Sequence, residues 1–289
     1  MTPSAQQRDF AASLHELLAA ADTPSMARAW GRGEHPSGLA LWRQLAKLGV
    51  TALAIPESHD GLGATAMDLV VAFEELGHHA VPGPLVESIA VAPLLAPPQW
   101  LPRLASGEVI ATVAPWYLDA DIADLVLGGT PGALAACVDR TRRLFPAAGD
   151  LTEPAFNAGV LACAAQLSGL GRALLEMSVS YAKSRVQFGQ PIGQLQAIKH
   201  RLAEVLIALD FARPLLYAAA FSGTARDISA AKVACGDAAY LAARTALQVH
   251  GAIGYTEEFD LSIWFSKVRA LVSVWGTPAE HRARVMAAL

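Results

Sequence analysis

The sequence predicts a mainly α protein with a small β insert, on three observations. Helical spacing of apolar residues dominates both ends of the chain. Between Glu108 and Val138 the texture changes to short apolar runs separated by Gly, Pro and Asp. From Pro154 to the C-terminus the helical pattern returns in long, little-interrupted stretches.

In chain order, residues 4–21 read as an alanine-rich helix, and the polar, Gly/Pro-bearing stretch 30–38 as a loop. Leu41, Trp42, Leu45 and Leu48 share one face of a short helix over Leu39 to Leu48. Val50 to Ile55 is a brief apolar run closed by Pro56, and His59-Asp-Gly-Leu-Gly63 is a turn signal. Thr65 is placed to cap a helix to Leu76, with Asp68 at the capping-box position. Pro82 and Pro84 punctuate before a helical run from Leu85 to Leu95. Val109–Val113, Ala123–Leu127 and Leu134–Val138 read as strands, two to four in all. Helices then follow over about 154–184, 196–222, 226–250, 258–274 and 278–288, broken at Pro191, Gly223, Gly251 and Gly254. Pro214 falls inside one of them and is expected to kink it rather than end it. The expected organisation is an N-terminal helical domain (1–107), a short β segment (108–153) and a C-terminal helical bundle (154–289).

Composition narrows the class. Of the 289 residues, 53% are apolar and only 17% charged, with a mean hydropathy of +0.34. This is more apolar and less charged than an ordinary soluble domain. No uninterrupted apolar run approaches the roughly 18 residues that span a bilayer. The greasiest segment, Leu206 to Phe221, is broken by Asp210, Arg213 and Pro214. Burial against other chains is the expected outlet. A net charge of −4 offers no footprint for nucleic acid. Cys137, Cys163 and Cys235 show no CxxC or Cys/His spacing, so neither a disulfide framework nor a zinc site is expected. The first ten residues lack an apolar signal core, and a cytoplasmic location is expected.

Two motifs carry the chemistry. One is Tyr181-Ala-Lys-Ser-Arg185-Val-Gln-Phe188-Gly189-Gln-Pro191-Ile-Gly-Gln-Leu-Gln196; the other, about sixty residues on, is Gln248-Val-His-Gly251-Ala-Ile-Gly254-Tyr255. Read alone, the first describes a helix C-terminus with a dipole-complementing Arg and a Gly cap. Together they resemble the C-terminal signatures of the acyl-CoA dehydrogenases, flavoenzymes that desaturate acyl thioesters. Trp42-Arg-Gln-Leu-Ala-Lys-Leu-Gly49, Ile55-Pro56-Glu57-Ser-His-Asp-Gly61-Leu-Gly63 and Phe73-Glu74-Glu75-Leu76-Gly77 follow the family's order in the first third. The resemblance implies an acyl-CoA dehydrogenase-like fold: N-terminal helical domain, truncated middle β segment, C-terminal four-helix bundle. It also implies FAD as cofactor, contacted by Arg185, Phe188, Gly189, Gln196, Gln248, Gly251 and Thr277. A guanidinium suits such a role, because its planar fork binds phosphate oxygens bidentately and is always charged. His250, inside the second motif, is expected to be a partly buried helix-end residue without chemistry.

The departures from the family matter as much. Ala252 stands where a second glycine is usual. Ser266 and Lys267 stand where Arg-Asp is frequent, so an internal ion pair is expected to be lost. Removing an α proton needs a carboxylate in a dry pocket, and the family's two base positions fall on Trp275 and Gly159. No catalytic residue is therefore assigned. Glu257, Glu258, Asp260 and Glu280 lie at helix starts, where acids have a routine structural role. Only about 45 residues, 108–153, stand where the family has a flavin-holding β domain, and no flavin loop is found in them. Thr152-Glu153-Pro154 reads as the capped start of the next helix.

The resemblance thus points to the non-catalytic β subunit of an α2β2 acyl-CoA dehydrogenase, sharing FAD with a catalytic α subunit. Such split enzymes are associated with steroid breakdown. Two other readings are a self-sufficient homo-oligomer with a relocated base, and a flavin-free scaffold.

Overall fold

The computed structural model describes residues 2–256 and 259–289. Helix α1 (Ala5–Ala19) starts at a capping box: Gln7 N–H donates to the Ser4 hydroxyl, and Ser4 N–H to the Gln7 side chain. It buries Leu14 and Leu18. Helix α2 (Thr23–Gly31) was not foreseen. Its start is set by Asp22, which accepts from Ser25 N–H, and by Pro24 in the first turn. At nine residues it is too short for periodicity to announce, yet it buries Ala27 and Trp30. Helix α3 (Pro36–Lys47) begins three residues before the expected start, because Pro36 supplies a preset φ. The predicted loop 30–38 shrinks accordingly.

Helix α4 (Ala66–His78) begins at Thr65 with the foreseen Thr65–Asp68 capping box. It packs against α6 (Glu153–Ser184), and glycines on both helices permit the approach. A Cβ on Gly77 would lie 2.2 Å from the Gln166 carbonyl oxygen, and one on Gly169 only 1.9 Å from that of Glu74. Any larger residue at either place would force the helices apart.

The run expected to be helical over 85–95 is irregular: a π-helical turn, Val86–Val91, then a 3-10 turn, Ala92–Leu94. It is tied to the β segment through Ser88, whose hydroxyl donates to Ala111 O (2.6 Å) and accepts from Ala111 N–H (2.8 Å). After the short helix α5 (Leu101–Ala105) come strands β1 (Ala111–Val113) and β2 (Leu125–Leu127). They pair in parallel with Ala111 opposite Leu125. The third run, 134–138, is no strand; it contributes a single bridge, Ala135 to Leu144. With so few paired residues the segment has no layer of its own to fold back on.

The C-terminal half is a bundle of α6, α7 (Gln196–Ser222), α8 (Ala225–His250), α9 (Leu261–Leu271) and α10 (Pro278–Ala287). Helix α7 runs through Pro214 without a break. Helix α9 is shorter than the expected 258–274. One apolar core runs from α1–α4 through the bundle. Helices α6 and α7 are each long and apolar enough, by length and composition, to cross a membrane. The apolar stretch of α6 is 83% buried inside the protein, which makes it a core helix, whereas that of α7 is only 33% buried. Leu206, Ile207, Phe211, Leu215 and Phe221 leave α7 with an exposed apolar face.

Candidate functional site

The first motif builds a tight hairpin at the end of α6. Arg185 leaves the helix in an extended conformation, with its N–H donating to Tyr181 O and its O accepting from Ile192 N–H. Strands β3 (Val186–Gln187) and β4 (Gln190–Pro191) pair antiparallel around a two-residue loop, Phe188-Gly189. Both loop residues are left-handed, at φ +52° and +77°. Two-residue hairpins favour this geometry, with Asn or Gly first because it has almost no room for a bulky side chain. A phenylalanine there is strained, and its ring is 87% exposed. Backbone strain of this kind clusters at ligand clamps and switch regions. The Arg185 guanidinium is also exposed, with no carboxylate partner among the described residues.

The second motif meets the first at this same end. The His250 ring stacks on Tyr181, with centroids 4.3 Å apart. Val249 packs with Ala182 and Ile192 in a small apolar cluster separate from the main core. His250 donates from Nδ1 to Ala246 O, and burial lowers its pKa. It is the structural histidine expected, buried rather than partly so. Gln248 is exposed in the last turn of α8. Gly251 then adopts φ +65°, ψ −144°, with no described atom within 4 Å of where a Cβ would point. Gln196 is the first residue of α7, whose N-terminus has no side-chain cap. The N–H groups of Ile198 and Lys199 close its first turn by donating to Leu195 O, each at 3.1 Å. Arg185, Phe188, Gly189, Gln196, Gln248 and Gly251 thus gather on one exposed end of the bundle.

Thr277 does not join them. It caps α10, with its hydroxyl 2.9 Å and its N–H 2.7 Å from the Glu280 carboxylate. Helix α10 packs on the first half of α8, where His281 meets Ser229 at 3.2 Å. Gln248 is 19 residues further along α8, or about 28 Å at 1.5 Å per residue.

The two positions where the resemblance would put a base lie against each other. Trp275 is buried at φ +59°, and its indole covers Gly159 so closely that a Cβ there would fall 2.5 Å from the ring. The buried His281 donates to Trp275 O at 2.8 Å and holds this turn. Of the nearby acids, Asp260 pairs with Arg28 at 2.6 Å and Glu280 caps α10. Glu257 and Glu258 lie outside the described residues.

A buried polar group escaped the sequence reading. Glu87, Asp119, Arg142 and Lys267 surround a cavity of about 20 Å³ beside Trp275, room for a water and nothing larger. Burial pushes Asp119 up to about 8 and raises Glu87 as well. Lys267 pairs with the fully buried Asp139 at 3.3 Å. The ion pair expected to be lost at Ser266-Lys267 is therefore replaced by one to the middle segment. No local pattern marks it, since the partners are 128 positions apart.

Residues 4–108 match the acyl-CoA dehydrogenase N-terminal domain and residues 150–289 the C-terminal domain. The chain is 33% identical to acyl-CoA dehydrogenase IpdE2 of Mycobacterium tuberculosis, over 99% of this chain and 98% of that protein. Its fold resembles the ChsE4-ChsE5 complex of Mycobacterium tuberculosis at a TM-score of 0.86 and 21% identity, covering 99% of this chain and 97% of that one. A similar likeness, TM-score 0.83 at 21% identity over 98% and 97% of the two chains, holds for the Tcur3481-Tcur3483 steroid acyl-CoA dehydrogenase. With family matches at both ends and a full-length relative at this identity, the chain belongs to the acyl-CoA dehydrogenase family.

Proposed function

We propose that this chain is the non-catalytic subunit of a heteromeric FAD-dependent acyl-CoA dehydrogenase, with an α2β2 assembly. One observation carries the reading. The contacts expected for the adenosine and pyrophosphate half of FAD stand together and face solvent, while the Trp275 indole fills the space over Gly159 where a base would work.

The residues fit half of the cofactor. Arg185, lacking a carboxylate partner among the described residues, suits a phosphate. The left-handed Gly251 leaves an open cradle that any side chain would fill, and Phe188 offers a free ring face. FAD, when bound, supplies the acceptor for the hydride that leaves the acyl thioester. This chain's part is to bind: Arg185 neutralises phosphate charge, Gln196, Gln248 and the Gly189 backbone N–H donate hydrogen bonds, and Gly251, whose own N–H donates to Leu247 O, leaves room beside them. Thr277, on the opposite end of the bundle, would serve a different cofactor from the other six. The apolar face of α7 supports a partner subunit, since exposed apolar surface of this kind marks a contact region. The solved neighbours include a two-protein complex and a steroid enzyme, which supports a steroid-derived CoA thioester as the substrate, turned over in the partner.

The test is expression alone and with a catalytic partner, read by flavin absorbance and acyl-CoA oxidation. The proposal expects flavin and turnover only in the complex. Flavin-bearing, active protein from this chain alone would overturn it, as would a complex whose flavin content is indifferent to this chain.

A further inference from the structure

We infer that the junction of α1, α4 and α6 is a binding site for one divalent transition-metal ion of the zinc class, held by His15, Glu75, His78 and His79.

Glu75, His78 and His79 occupy positions i, i+3 and i+4 at the end of α4, so all three project to one side of the helix. His15 comes across from α1. One ligand atom from each of the four lies within 4.8 Å of every other. His15 Nδ1 is 2.9 Å from Glu75 Oε2 and 3.1 Å from His79 Nε2. A tetrahedral ion bound at about 2.0–2.1 Å keeps its ligand atoms roughly 3.3 Å apart, so these two separations already have the right scale. Small rotations of the half-exposed His15 and of His78 complete the shell.

Hydrogen bonding alone does not satisfy the group. His15 Nδ1 can carry a single hydrogen. Aimed at Glu75, it leaves His79 Nε2 facing the same N–H; removed, it sets a lone pair against a carboxylate oxygen at 2.9 Å. His78 is more telling. Its Nε2 donates to Glu176 Oε2 at 2.8 Å. That bond fixes the tautomer and leaves Nδ1 as a lone pair, which is buried without a hydrogen-bond partner. A histidine whose far nitrogen donates to a carboxylate while the near one is left free is arranged as metal-ligating histidines are. Glu75 is likewise oriented from behind, by Arg172 at 2.7 Å on its other oxygen. Two carboxylates, Glu75 and Glu176, outweigh the one guanidinium, so the setting favours a cation.

The ligand set decides the class. Three imidazoles and one carboxylate suit zinc and its neighbours, not magnesium or calcium, which prefer oxygen. Four protein ligands close a tetrahedral shell and leave no open position for a reacting water. The role is structural: the ion ties the N-terminal helix α1 to α4, with α6 as the outer brace. This inference does not rest on the subunit assignment.

The test uses the full chain made without a histidine tag, titrated with zinc against a chromophoric chelator, with cobalt(II) as spectroscopic probe. The expected result is one equivalent per chain, an intense visible cobalt spectrum of four-coordinate type, and a raised melting temperature with zinc. His15→Ala, at a half-exposed position where folding is retained, should weaken binding by more than the ten- to hundredfold that losing an outer-shell partner costs. Glu176→Gln should weaken it within that range, about ten- to hundredfold. Absence of stoichiometric binding, a six-coordinate cobalt spectrum, or equal affinity in wild type and His15→Ala would overturn the assignment. Equal affinity would place the ion on other histidines.

Discussion

Replacing Phe188 by asparagine should strengthen the fold while weakening the cofactor contact, and the opposite signs make it a sharp test. Phe188 sits at φ +52° with 87% of its surface exposed. A left-handed conformation costs an ordinary residue roughly 1–2 kcal/mol, and a ring this exposed returns little burial. Asparagine tolerates the conformation and completes Asn-Gly, the pair that two-residue hairpins favour. If half of the strain is relieved, the gain is about 0.5–1 kcal/mol, a rise of about 1–4 °C in melting temperature for a chain of this size. Loss of the ring removes one aromatic stacking contact worth about 0.5–1.5 kcal/mol, or roughly two- to tenfold in FAD retention. Thermal unfolding of the flavin-stripped complex by circular dichroism reads the first effect without the cofactor's own contribution to stability. Flavin fluorescence released on dilution reads the second. A lower melting temperature would show that the ring supports its own turn. Unchanged flavin release would remove Phe188 from the cofactor.

Four further outcomes follow from the same geometry. Arg185→Ala should leave the melting temperature unchanged, because the side chain is exposed, and weaken FAD retention about ten- to a hundredfold, the loss of one charge-assisted hydrogen bond; undiminished flavin content on dilution excludes Arg185 from the site. Asp260→Asn and Glu280→Gln, and likewise Glu257→Gln and Glu258→Gln, should keep turnover of the complex within about tenfold; one that abolishes it with FAD still bound would make this chain the catalyst. Phe211→Asp on the exposed face of α7 should leave this chain folded and weaken assembly by at least about 2 kcal/mol, read as loss of co-elution with the partner. Stability should be level above about pH 6.5 and decline below it. Burial holds His281 and His250 under that ordinary value, so the unfolded chain takes up protons first as pH falls. Denaturation midpoints that stay flat or rise from pH 6.5 to 5, in the presence of chelator, would contradict this.

The long helices, the caps at Thr65 and Thr152, the passage through Pro214 and the glycine turns were all legible in the sequence, because each depends on residues within a turn or two of itself; the cap at Thr277 was not, that residue having been read only as a cofactor contact. The turn at Phe188-Gly189 was marked too, since the spacing from Arg185 to Gly189 carries a family signature even without coordinates. The nine-residue α2, the π-helical turn at Val86–Val91 and the failure of 134–138 to form a strand were not legible. Their conformations are set by what packs on them rather than by their own propensities. Only tertiary structure could decide which site residues share a place. The Tyr181–His250 stack brings the two motifs together, whereas α8, running between them, holds Thr277 some five turns away from Gln248. Long-range pairs stayed equally hidden: Trp275 over Gly159, Lys267 with Asp139, and His15 beside Glu75, His78 and His79. Sequence periodicity reports which face a residue occupies, but not which distant residue stands opposite, and the histidine cluster is built from that second kind of information.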